Sequence, residues 1–99
     1  MDPGTAAPSP TANPSDEMLG VVRARQLVRS QPQAALTLLR SLERSHPEGY
    51  FLEERRALMV FALAAQGEPK QAQERAASFL RAYPHSAFAD RVRSATANR

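Results

Sequence analysis

His46 and His85 are the two imidazoles in a chain of 99 residues, and each sits directly beside a proline. Imidazole is the side chain best matched to proton transfer near neutral pH. At the helix ends marked by Pro47 and Pro84, however, a histidine can instead face the last helical carbonyls. Both are read here as cap or loop residues. The other dense group is Glu53-Glu54-Arg55-Arg56, which places opposite charges three residues apart on a helix, the pattern of a solvated face worth a few tenths of a kcal/mol. No pair of carboxylates flanks an aromatic platform, no Gly-rich loop precedes a helix, and no ligand set has metal spacing. The absence of cysteine removes thiolate metal sites, disulfides and cysteine nucleophiles. The expectation is a protein that is not an enzyme, with no catalytic, cofactor-binding or metal-ligating residues and no cofactor.

Charge leaves a different opening. The net charge of +3 combines an acidic start (Asp2, Asp16, Glu17) with 13 basic residues from position 19 onward, of which 12 are arginine. Arg23, Arg25 and Arg29 gather in one segment, and Arg91, Arg93 and Arg99 in another. Nucleic-acid contact needs such charge, usually with aromatics or a groove-fitting helix as well. The six aromatics are better placed for packing, and an Arg-over-Lys, Ala-rich bias is also what a GC-rich genome produces. A basic accessory factor touching nucleic acid through Arg23, Arg25 and Arg29 is therefore the alternative rather than the main expectation.

The elements carrying these residues are helices. Eighteen alanines and ten leucines against five valines and no isoleucine favour helix over sheet. No apolar run of about 18 residues could cross a membrane. Residues 1–14 hold four of the eight prolines and no large apolar side chain after Met1, so they read as a disordered Pro/Thr/Ala-rich tail or linker. Their start has neither a basic n-region nor an apolar h-region. That fits a cytoplasmic chain if Met1 is the native start, or an envelope protein if a longer chain precedes it.

Residues 15–99 form the expected helical domain. Ser15-Asp16-Glu17 offers an N-cap and first-turn acids. The first helix ends at Ser30-Gln31-Pro32, and the second runs from Pro32 to about Ser45 on an Ala35, Leu38, Leu39, Leu42 stripe. A third runs from Tyr50 or Phe51 to about Gln66; it is apolar nearly all round and so central. Gly67 caps it, and Pro69 opens a fourth that runs to about Ala82. Ser86 is the N-cap candidate for a last helix over residues 87–97, with Phe88 and Val92 inward and Arg91 and Arg93 outward.

Punctuation repeats along the chain. Pro32 and Pro47 recur as Pro69 and Pro84, each displaced by 37 residues, and Ala35, Ser41 and Arg44 recur as Ala72, Ser78 and Arg81. At the same offset Glu17 falls on Glu54, and Leu42 on Phe79. The chain reads as all-α: two helix-turn-helix units and a closing helix.

In the second unit, Gln66-Gly67, Ala72, Leu80 and Pro84 carry the spacing of a tetratricopeptide repeat. Residues 77–89, ASFLRAYPHSAFA, are similar to repeat endings in bacterial envelope proteins of the Tol–Pal coordinator and outer-membrane-assembly lipoprotein type. The first unit departs from that pattern, with Ser30 at the turn-glycine position and His46 in place of Tyr83. The resemblance implies a concave groove lined by the first helix of each unit. It would place Glu17, Gly20, Ala24, Leu27 and Val28 inward from the first unit, and Glu54, Ala57, Phe61, Ala64 and Ala65 from the second. Phe61 and Leu27 could equally be core. The function it implies is a non-enzymatic protein–protein interaction module, a scaffold or adaptor of a bacterial complex that binds a partner helix or peptide. Two repeats bury little compared with a longer array, and Leu19, Val22 and Leu27 have no cap. The first helix is therefore expected to meet another copy or a larger partner.

Overall fold

The computed structural model describes residues 14–97, which form five helices; no strand is present among them. They are α1 (Pro14–Ser30), α2 (Pro32–Ser45), α3 (Leu52–Gln66), α4 (Pro69–Ala82) and α5 (Ala89–Thr96). The tail expected before Pro14 and the basic residue Arg99 lie outside the described residues. No described helix is long and apolar enough to cross a membrane.

The prolines act as the sequence requires. Pro32 and Pro69 each stand at the start of a helix, where the missing N–H breaks no bond. Pro14 does the same for α1, so the first helix begins earlier than expected and includes Ser15. Ser86 does not cap its helix. Its hydroxyl accepts the Phe88 N–H at 3.0 Å, closing a turn, and Phe88 is the residue that leads into α5.

The 37-residue offset is physical as well as textual. α2 and α4 start and stop at matching positions, and so do the starts of α3 and α5. The residues that end α2 and α4, His46 and Tyr83, have nearly the same backbone angles (φ −134°, ψ 62° and φ −133°, ψ 63°). In the following turns Gly49 N–H donates to His46 O and Ser86 N–H to Tyr83 O, both at 3.1 Å. α5 is thus built as the first helix of a third unit would be, and it also covers the end of the second.

The two units close differently. Gly67 takes the left-handed conformation (φ 84°), and its N–H reaches Ala64 O at 3.2 Å while that of Glu68 reaches Leu63 O at 3.0 Å. Between α1 and α2 only Gln31 intervenes, its N–H still bonded to Leu27 O at 2.8 Å, so no left-handed residue is needed.

Packing is a two-layer hairpin stack. α1 pairs with α2 and α3 with α4; α3 also touches α1, α2 and α5. α3 is therefore buried on two sides. Leu58, Met59, Ala62 and Leu63 join Val21, Ala24, Leu36 and Leu39 in one core. Ala57 and Val60 join Ala76, Phe79 and Val92 in the other, and Phe61 packs against both. Small residues set the close crossings: a Cβ on Gly20 would lie 2.7 Å from Leu42 Cδ2.

Candidate functional site

The helices that begin each unit, α1, α3 and α5, share one face. Along it runs an open groove of about 660 Å³. Val28 of α1, Leu58, Phe61 and Ala65 of α3, and Ala95 of α5 supply its apolar surface. Arg25 and Arg29 stand on the α1 side and Arg91 on the α5 side, with no carboxylate among the lining residues. Each helix contributes at helical spacing: 25, 28 and 29; 58, 61 and 65; 91, 94 and 95.

The arginines are not equivalent. Arg25 forms a two-pronged ion pair with Glu54, its Nη2 donating to Oε1 at 2.8 Å and its Nε to Oε2. The hydrogen bond to Glu54 raises the pKa of the guanidinium above its ordinary value, and the same pair spends much of its charge locally. Arg91 lies over two rings, its Cζ 5.4 Å from the centroids of both Phe61 and Phe88. Arg29 is exposed and has no acidic partner among the described residues.

Of the residues the repeat pattern places inward, Val28 and Phe61 line the groove, together with Ala65, and Glu54 sits at its edge through Arg25. Leu27 and Ala64 are half-buried against the first core. Ala24 and Ala57 are fully buried, so they shape the helix crossings and offer no contact surface. Glu17 is also buried, and not at the groove: its carboxylate lies 3.1 Å from Arg55 Nε and accepts the Phe51 N–H at 3.1 Å. Of the alternative basic face, Arg25 and Arg29 lie at the groove, while Arg23 is exposed but is not among its lining residues.

Two expectations are corrected here. Glu53-Glu54-Arg55-Arg56 is not a uniformly solvated face, because Arg55 is buried against Glu17 and His46 O while Glu54 pairs across to α1. Neighbouring helices claim these charges once α3 is central. Arg91 is exposed, but it does not simply point away from a capping helix: its guanidinium carbon lies over the rings of Phe61 and Phe88, at the groove. The signal was present in the sequence. Continued by one more step, the 37-residue offset carries Phe51 onto Phe88 and Glu54 onto Arg91, which assigns Arg91 to the shared face.

The histidines are divided in their environments. His46 is buried and its carbonyl accepts from Arg55 Nη2 at 2.6 Å, whereas His85 is exposed. No group of three or more His, Cys, Asp or Glu capable of holding a metal occurs among the described residues. A smaller hollow, of about 330 Å³, lies between Glu43, Arg56, Arg75 and Ser78. In comparisons with known proteins, no family model, no curated protein and no solved structure matches this chain.

Proposed function

We propose that the chain is a non-enzymatic protein–protein interaction module of the tetratricopeptide-like kind, a scaffold or adaptor in a bacterial complex. The groove on the shared face of α1, α3 and α5 is the surface that takes a partner helix or peptide. One observation carries this reading: three helices related by the 37-residue offset meet at the same open, largely apolar groove, where Val28 is matched by Ala65 and Leu58 by Ala95. Apolar floor with a polar rim is the composition of a specific docking surface. Ala65 supplies the test, because it is exposed, helical and lines the groove. Ala65→Arg fills the groove at little cost in helix propensity. Peptides selected from a random library against the native chain should lose binding to this variant while its thermal unfolding is unchanged. Full retention of binding would contradict the proposal.

A second reading, self-association through α1, rests on a separate observation. Met18, Leu19 and Val22 are 45%, 63% and 37% exposed, and Val22 follows Met18 by four residues and Leu19 by three, so it neighbours both on the helix surface. Sedimentation of the native chain against Leu19→Glu would detect it as a concentration-dependent species lost in the variant.

Contact with nucleic acid is the less supported reading. Arg25 is engaged with Glu54, and Arg23 is not a lining residue of the groove that holds Arg25 and Arg29. Binding whose logarithm fell steeply with the logarithm of salt concentration would restore it.

A further inference from the structure

The groove has two walls of like charge, and the side-chain hydrogen-bond acceptors of its lining are confined to Gln26 and Ser94. Arg29 rises on the α1 side and Arg91 on the α5 side, with α3 between them. α1 and α5 do not touch. Two helix-packing steps separate them, about 16 to 20 Å between axes. An α-helix with its side chains is about 10 to 12 Å across, too wide to sink between α1 and α5, so it would rest on α3 with one flank toward each arginine wall.

The lining also selects the conformation of what it holds. Its polar groups are three guanidinium groups, which only donate hydrogen bonds, and the side chains of Gln26 and Ser94. An extended peptide buried here would leave most of its inward N–H groups without acceptors, a cost for each group. A helix satisfies those groups internally and presents side chains alone.

We infer that the occupant of this groove is an acidic amphipathic α-helix, an inference that rests on the groove being the interaction surface. Its apolar ridge packs on Val28, Phe61 and Ala95, and carboxylates on its two flanks pair with Arg29 on one side and Arg91 on the other. Arg91 is held near the groove by its contacts with the Phe61 and Phe88 rings, and its planar guanidinium presents a donor fork that suits a bidentate carboxylate. Arg25 is a reserve charge: Glu54 occupies it, so the same residue that braces α1 against α3 limits the attraction for an acidic partner. On the α1 wall, Met18 and Val22 lie seven and three residues before Arg25 on the same helical stripe, and both are exposed. A ligand helix running past the groove end would meet apolar surface there.

The test uses fluorescence anisotropy with three synthetic helices of about 20 residues, long enough to hold helical structure. They share one leucine ridge and carry Glu, Gln or Lys on the flanks. The Glu helix should bind the full chain about tenfold more tightly than the Gln helix, the effect of two modest charge pairs. The Lys helix should bind least. Arg29→Ala with Arg91→Ala should erase the preference, Arg29→Glu alone should reverse part of it, and Glu54→Gln should strengthen it by freeing Arg25. Melting curves establish that each variant is folded. Equal binding of Glu and Gln helices, blocked by Ala65→Arg, would overturn the acidic-helix inference and leave the groove reading standing. No binding of any helix, or binding indifferent to Ala65→Arg, would overturn both. Arginine-dependent binding of a DNA duplex in place of the helices would also overturn it.

Discussion

Glu17 and Arg55, 38 positions apart in the chain, form a buried ion pair that ties α1 to α3, with Oε2 and Nε 3.1 Å apart. Only 1% and 4% of their surfaces remain exposed. The carboxylate also accepts the Phe51 N–H, and Arg55 Nη2 donates to His46 O, so the pair joins the end of α2, the start of α3 and the first turns of α1. Arg55 Nε–H is not aligned for a hydrogen bond despite its closeness to the carboxylate, so the pair is held by charge more than by directed bonding there.

Removing one partner strands the other charge in the interior. Glu17→Ala should destabilise the chain by about 3 to 5 kcal/mol, and the double replacement Glu17→Leu with Arg55→Met should recover much of that loss. Urea unfolding of the two variants beside the native chain measures the difference. A loss below about 1 kcal/mol for Glu17→Ala would show that the pair is solvated in solution.

Gly49 is constrained by the same pair. A Cβ at this position would overlap the Glu17 carboxylate. Gly49→Ala should therefore displace that carboxylate from Phe51 N–H and Arg55, at a cost of about 2 kcal/mol. In Glu17→Leu/Arg55→Met the penalty of Gly49→Ala should change, because the two sites share an atom contact; a double-mutant cycle reads that coupling. Strict additivity would contradict the geometry.

The two inter-helix turns make opposite predictions for glycine. Gly67 has φ 84° and open space around its Cβ position, so Gly67→Ala should cost about 1 kcal/mol through backbone conformation alone. Ser30 occupies the matching place in the first unit but is helical, so Ser30→Gly should destabilise by roughly 0.5 kcal/mol rather than improve a turn. Thermal melts of both variants check the pair of signs.

Most of the architecture was legible because proline and glycine act locally. Pro32, Pro69 and Gly67 mark helix boundaries by the geometry of their own residue, and the bounds of α2 and α4 follow from them. The groove was legible only in part. Val28 and Phe61 follow from repeat position, but Glu17 shares that position with Glu54 and ends in another environment. The reason is tertiary: Glu17 has Arg55 and the turn at Gly49 closing over it, whereas Glu54 meets Arg25 at a solvent-facing edge. Side-chain pairing across helices is not carried by periodicity. Arg55 and Arg56 are adjacent, yet one is buried and the other exposed, a difference that appears only when α1 packs on α3.

The most direct test of the central claim is amide chemical-shift mapping on the full chain titrated with the Glu-flanked helix. The account predicts saturable shifts at Arg25–Arg29 on α1, around Phe61 and Ala65 on α3, and from Arg91 to Ala95 on α5, with the outer faces of α2 and α4 unmoved. Shifts confined to α2 and α4, or none at saturating peptide, would contradict it.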